Sequence, residues 1–559
     1  MSFKKILKTV FSVLSNKERR TLYTLVFLLL ASASYTGAKY YLDHTKEVAN
    51  GGGEYTEAVV GTTRFINPIL SQTNDIDADL VTLTFSSLLK TGAGGKLEND
   101  LTDSYEISED KLTYTFHIKR NVLWHDGKSL TADDIVYTIK TIQNDNYASP
   151  LIANWQGVRA EKVDDYTVNF ILKSAYAPFL NNLTFGILPR HLWEQTSASQ
   201  FLLNELNFKP VGSGPYKMKS FKKDSSGKII SIELEANGAY YGNKPYIKKI
   251  TFKFYADETE AISAFNRKEV KGINYISPGN LDKVVDADKK SVNRLSIPRY
   301  YAVFFNQIQS KALADKTVRQ ALSYAIDKDK LIADVLKGEG QKIDSPITPQ
   351  LLGYKSDVKV YDFAKEHAQN ILTAAGWVDS DGDGVREKGD KKLSFKLVAT
   401  DWTYIATTAT ELQSMWKEIG ADVQIETTDN IQEECIATRA YDAILFGEIL
   451  SYDPDPFAFW HSSQKKDPGL NLALYDNADV DKLLEEARKE TDPAVRAQKY
   501  QEFQNLVVED APAIFLYSPN YIYLQDKSIQ GFTTKDIITP SDRFNDVENW
   551  YVRTKRVAK

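Results

Sequence analysis

A chain of 559 residues exceeds what one ordinary hydrophobic core encloses, so several lobes are expected. Hydrophobic residues at 42% and charged residues at 26% describe a folded, water-soluble body. The formal charge of −6 is unevenly placed: Lys4, Lys5, Lys8, Lys17, Arg19 and Arg20 against Glu18 leave −11 for everything after Arg20, which excludes nucleic acid as the expected partner of the main body.

In chain order, residues 1–20 form a basic segment, and Thr21 to Ala38 carries no formal charge over eighteen residues, just long enough to cross a bilayer. Because the basic residues all precede it, the positive-inside rule places the N-terminus in the cytoplasm and the body outside. Residues 21–42 are read as a transmembrane signal anchor. The alternative is a cleaved signal peptide, with Leu22 to Leu30 as its apolar region and Ala31, Ser32 and Ala33 as the cleavage site. Residues 43–54, with Gly51, Gly52 and Gly53, read as a flexible tether.

Tyr55 to Leu70 reads as a strand and a loop ending in Asn67 and Pro68. A helical spacing follows over Asp77 to Lys90. Leu112, Tyr114, Phe116 and Ile118 alternate with polar residues, the period of a half-buried strand. Asp126-Gly127 makes a turn, and Thr131 with Asp134 three residues on has capping-box spacing before the apolar stripe Ile135, Val136, Ile139 and Ile142. Gly212 and Gly214 in KPVGSGPYK imitate a phosphate loop, but no GxxxxGK[ST] follows, so a tight structural turn is expected. Arg299 to Gln307 is a continuous aromatic strand, and Val318 to Leu336 an amphipathic helix broken in its middle.

Chemistry is sparse. The six histidines (His44, His117, His125, His191, His367 and His461) form no HExxH or i,i+4 pair, and neither a GxSxG elbow nor a Walker motif occurs. Cys435 is the only cysteine, which excludes disulfides, CxxC pairs and a lipoprotein cysteine. The loop Asp379 to Asp390 is the one metal-like constellation. Asp379, Asp381, Asp383 and Asp390 sit at calcium-loop positions one, three, five and twelve, with Gly384 at the sharp-turn position. A strand follows where an EF-hand would have its second helix, so an ordinary Asp-Gly turn is the competing reading. No other cofactor is expected.

The stretch LTYTFHIKRNVLWHDGKSLTADDIVYTIKTI (112–142), with LTDSYEISEDKL before it, resembles the signature region of the bacterial extracellular solute-binding proteins of family 5, the dipeptide-, oligopeptide- and nickel-binding proteins of ABC importers. KPVGSGPYK, VRQALSYAID, the segments 239–275, 445–460 and 481–496, and DAPAIFLYSPNYIYLQ (510–525) appear in the same family's order. The resemblance spans roughly residues 55–550. It implies an α/β, two-lobed fold of the type II periplasmic-binding-protein kind, with mixed sheets, hinge strands and an inserted subdomain. Lobe I would combine 55–83, 205–300 and 517–559, the inserted subdomain 84–204, and lobe II 301–516.

It also implies a monomer that binds a small solute or peptide by hinge closure, presents it to an ABC-transporter permease and is no enzyme. A nickel chelate or a saccharide is the alternative solute. An exported two-carboxylate hydrolase and a purely structural surface protein are the alternative classes. In family dipeptide binders an acid shortly before a DPD-like segment fixes the ligand's amine. Asp453, Pro454 and Asp455 match that segment, but Leu450 stands where the acid belongs and Glu448 lies two residues upstream. Glu448, Asp453 and Asp455 are therefore the candidate polar anchors, with turn formation as the alternative for the two aspartates. Asn67, near the cleft by resemblance, and Tyr300, Tyr301, Trp402 and Phe457 complete the candidates. Core packing is the alternative for each aromatic residue.

Overall fold

The computed structural model describes residues 13–287 and 290–559. Most of the basic N-terminal segment, Lys4, Lys5 and Lys8 included, lies outside the described residues. Asn16–His44 is one unbroken helix, started by a Ser15–Glu18 capping box, and no residue of it is buried. It is long and apolar enough to cross a membrane.

The expected tether is not a tether. Thr45–Asn50 is a strand that pairs antiparallel with Arg553–Ala558 near the C-terminus, from Thr45 opposite Ala558 to Asn50 opposite Arg553. Thr-Lys-Glu-Val can extend like any short polar strand, and a partner strand brought alongside by the fold satisfies its backbone groups. Only Gly51 to Gly53 remain as a turn, with Gly52 and Gly53 at positive φ.

Lobe I is built on a seven-stranded mixed sheet in the order Ser291–Leu295, Tyr521–Gln525, Gly272–Ile273, Glu54–Val60, Lys249–Tyr255, Ile229–Ala236 and Tyr216–Lys223. Glu54–Val60 runs parallel to Lys249–Tyr255 and Gly272–Ile273. At its core lie three fully buried charges: the Arg543 guanidinium holds both oxygens of Asp79 and one of Glu57, each at 2.6 Å. Gly212 and Gly214 lie against the backbone of Leu83 and Thr84, where any Cβ would collide with carbonyl oxygens. Close packing explains these glycines without a phosphate.

The inserted subdomain carries a four-stranded antiparallel sheet, Thr102–Ile107, Thr113–Ile118, Thr167–Ile171 and Arg159–Asp164. Tyr114, Phe116 and Ile118 are buried as their alternation demands, and helix Ala132–Ile142 has the Thr131–Asp134 capping box.

Lobe II holds a six-stranded mixed sheet, Gly340–Lys342, Ala513–Pro519, Arg299–Phe305, Ala443–Ile449, Ser394–Thr400 and Asp422–Thr428. Arg299–Phe305 has no polar alternation because both of its faces are covered. Tyr301, Val303 and Phe305 pack on helices Lys316–Tyr324 and Thr403–Lys417, while Tyr300, Ala302 and Phe304 pack on Ala478–Lys489 and Pro493–Asp510. The chain crosses between lobes twice, at Ser296 to Pro298 and at Asn520. Glu339 of lobe II clasps both crossings: Arg294 donates to it at 2.6–2.9 Å, and Asn520 donates its backbone N–H to the Glu339 carbonyl at 3.1 Å.

Candidate functional site

The three bodies enclose a cleft. Its larger cavity, about 500 Å³, has a lobe I wall from helix Asp75–Thr84 and from Thr539 to Glu548, a subdomain wall including Trp155, Asn181 and Phe185, and Ile449 from lobe II. Helix Asp75–Thr84 is aimed here because Asn74 caps it, accepting from Ile76 and Asp77 N–H groups, and Asp77 in turn accepts from Thr63, Arg64 and Phe65. A second cavity, about 470 Å³, lies between the subdomain (Tyr176, Phe179) and lobe II (Phe457, Arg488, Lys489). Asn154 and Asn182 line both, so the two adjoin. Volumes of this size suit a small organic solute or short peptide.

Phe457 is the sequence candidate that reaches a cavity wall. Its ring stacks on His461, with centroids 4.1 Å apart, and the Arg488 guanidinium lies 3.9 Å over it. Asp455 sits beside it at positive φ and fastens two bodies together. It accepts a two-pronged bond from Arg488 (2.8 Å each) and one from the Tyr176 hydroxyl of the subdomain (2.9 Å). Burial beside this carboxylate pushes the Tyr176 phenol far up, so it remains a donor. Tyr176 sits in no motif, and Arg488, though inside the family-like segment 481–496, was not singled out there. The contact between them exists only in three dimensions.

The remaining candidates are engaged elsewhere. Asp453 is buried in a 2.6 Å ion pair with Arg496 and accepts from Tyr500. Glu448, expected as a possible cleft-facing anchor, points into the lobe II core. It is opposite Tyr300 in register, and the Tyr300 hydroxyl donates to it. Alternation along Ala443–Ile449 sends Ile449 to the cleft and Glu448 inward, and burial pushes its carboxyl up to about 8. Tyr301 pairs its hydroxyl with that of Tyr404 within lobe II. Asn67 is fully buried, donating to Asn207 and accepting from the Ile69 N–H, so it shapes the turn. Trp402 is 58% exposed and lines neither cavity. Leu450 is buried with the lobe II core.

The aspartate loop departs from the expected ligand set. Asp379, Asp381 and Glu387, not Asp383 or Asp390, bring carboxylate oxygens within 4.8 Å of one another. Asp379 spends both oxygens on the N–H groups of Gly382 and Gly384, and Asp383 is paired with Lys392 at 2.5 Å. The hairpin Glu387–Lys388 with Lys391–Lys392 turns the chain back at Gly389, which displaces Asp390 from position twelve.

The match to the family model described as "bacterial extracellular solute-binding proteins, family 5 Middle" runs over residues 96–469, more than half of the chain. The chain belongs to family 5 of the bacterial extracellular solute-binding proteins. Oligopeptide-binding protein AppA of Bacillus subtilis is 29% identical over 96% of this chain and 99% of its own length, and the dipeptide-binding protein of Escherichia coli is 27% identical over 77% and 83%. The structure of the B. subtilis AppA in complex with a nonapeptide superposes at a TM-score of 0.71 with 28% identity, covering 90% of this chain and all of that one. NikZ of Campylobacter jejuni in complex with Ni(L-His) superposes at 0.72 with 26% identity, over 89% and 99%. As a family 5 protein with these neighbours, the chain has the type II periplasmic-binding-protein fold.

Proposed function

We propose that this family 5 protein captures a peptide in the cleft and presents it to an ABC-transporter permease. The observation that carries the reading is the pair of adjoining cavities walled by all three bodies, in a chain whose match to peptide-binding relatives runs nearly end to end. A ligand touching both lobes at once favours the closed state by its differential contacts, which is how closure and capture become one event. Extended peptides suit such a site because main-chain hydrogen bonding tolerates varied side chains. The helix Asn16–His44, with none of its residues buried, supports retention on the outer face of the membrane, and the body is read as a monomer. No catalytic role is proposed.

Titration calorimetry of the purified body with di- to pentapeptide mixtures should give micromolar affinity, about −8 kcal/mol. Nickel–histidine is the informative competitor, given the likeness to NikZ. Heat from the nickel chelate with none from any peptide would overturn the assignment. N-terminal sequencing of the mature protein tests the anchor: a start near Ser34 or Lys39 shows cleavage.

A further inference from the structure

The apolar helix Asn16–His44 leads straight into a charged surface. Its 29 residues rise about 43 Å, close to the full thickness of a bilayer with its headgroups. Set across a bilayer, the helix places Lys17, Arg19 and Arg20 at one headgroup layer, and Tyr40 and Tyr41, both exposed, at the other. Thr45 follows His44 directly, and the backbone N–H of Lys559 donates to the His44 carbonyl at 3.0 Å, so the ladder of Thr45–Asn50 with Arg553–Ala558 begins at that second layer. Residues directly opposite in an antiparallel pair share a face, and successive residues of a strand change face. One face therefore carries Thr45, Glu47 and Ala49 with Thr554, Arg556 and Ala558, and there Arg556 and Glu47 pair at 3.3 Å. The other carries Lys46, Val48 and Asn50 with Arg553, Lys555 and Val557, which is three cations and no acid. Lys46, Arg553 and Lys555 are exposed, and among the described residues none of them has an ion pair or a side-chain hydrogen bond.

We propose that this face is a lipid-contact surface, on which Lys46, Arg553 and Lys555 bind the phosphates of anionic phospholipid headgroups in the leaflet that the helix exits. This rests on the retention of the helix in the membrane proposed above. The chain after Arg20 sums to −11, so an anionic surface repels most of the body, and a local group of unpaired cations decides which part of it comes closest. Attraction between such cations and anionic headgroups acts within a Debye length, about 8 Å at physiological salt. The ladder starts inside that range. Its place beside the bilayer, more than its charge alone, singles out lipid over an acidic protein.

The test reconstitutes the full chain in nanodiscs of phosphatidylcholine and in nanodiscs of equal parts phosphatidylcholine and phosphatidylglycerol, and follows amide hydrogen exchange over residues 45–50 and 553–558. These amides should exchange at least fivefold more slowly in the anionic discs, because lipid bound to the paired strands stabilises them against opening. The readout is local to the ladder, so the basic residues before Thr21, at the other end of the helix, do not contribute to it. With Lys46→Gln, Arg553→Gln and Lys555→Gln combined, the two kinds of disc should give equal rates. Wild type should do the same in 1 M salt, where the Debye length shrinks to about 3 Å. Equal rates for wild type in both discs at low salt overturn the proposal, as does a slowing that survives the three substitutions or the salt. Those results leave the anchor standing, provided that alkaline carbonate fails to strip the chain from neutral vesicles. A chain that carbonate does strip has no inserted helix, which removes the anchor reading and this inference together.

Discussion

Glu448→Gln is a sharp test of how burial governs this protein. Glu448 is 3% exposed; one carboxylate oxygen accepts from Tyr300 and the other has no partner. Burial raises its pKa from 4.5 to about 8, so at neutral pH the folded lobe holds a proton that the unfolded chain has released. Below the unfolded value the carboxyl is protonated in both states and its contribution is fully present. Between the two values folding takes up a proton, and stability falls by about 1.4 kcal/mol per pH unit. The accumulated loss is about 3 kcal/mol at pH 7 and at most about 5 kcal/mol above pH 8. Gln keeps the shape and an acceptor for Tyr300, and titrates in neither state. Urea denaturation at pH 5, 7 and 8 should therefore show near-equal midpoints at pH 5 and a variant increasingly more stable than wild type as pH rises. Parallel pH curves for the two proteins would refute the assignment of a neutral, buried carboxyl.

Removing the Tyr176 hydroxyl (Tyr176→Phe) takes one charge-assisted bond, worth about 1.5 kcal/mol, from the junction of subdomain and lobe II. Ligand release in stopped flow should quicken about tenfold, and an unchanged rate would show that this junction does not hold the closed state. Arg543→Met strands Glu57 and Asp79 in the lobe I core and should cost about 3–5 kcal/mol in denaturation, whereas a loss below 1 kcal/mol would contradict a fully buried trio. In the aspartate loop calcium must displace the Lys392 ammonium, so Lys392→Met should show a larger rise in melting temperature with millimolar calcium than wild type. Identical melts in calcium and in chelator for both proteins leave only a turn.

What the sequence disclosed was whatever its periodicity and punctuation encode. Tyr114, Phe116 and Ile118 announce their sheet, Thr131 and Asp134 their helix start, and the unbroken aromatic run from Arg299 a strand, whose burial on both faces only the structure shows. The site was far less legible. Whether an acid faces cleft or core is set by a strand's register, and Glu448 and Ile449 differ by one position. Asp453 and Asp455 were visible as acids, but their arginine partners, Arg496 and Arg488, arrive from a helical pair some thirty to forty residues later. Thr45–Asn50 looked loose because its pairing partner lies about five hundred residues away.

For a protein retained in the membrane by its apolar helix, that short ladder would also decide how the molecule is mounted. Its first residue follows the last residue of the apolar helix directly, and the Arg556 guanidinium grips the helix end, donating to the carbonyls of Leu42 and Thr45. The cation lies where the helix dipole is negative. A receptor kept on this helix would have no leash to pay out: lobe I would stand on the bilayer at a set height, and twisting the stalk would turn the lobe with it. Solute would then come to the cleft from the surrounding medium, while the search for a permease would shrink to lateral drift within the plane of the membrane.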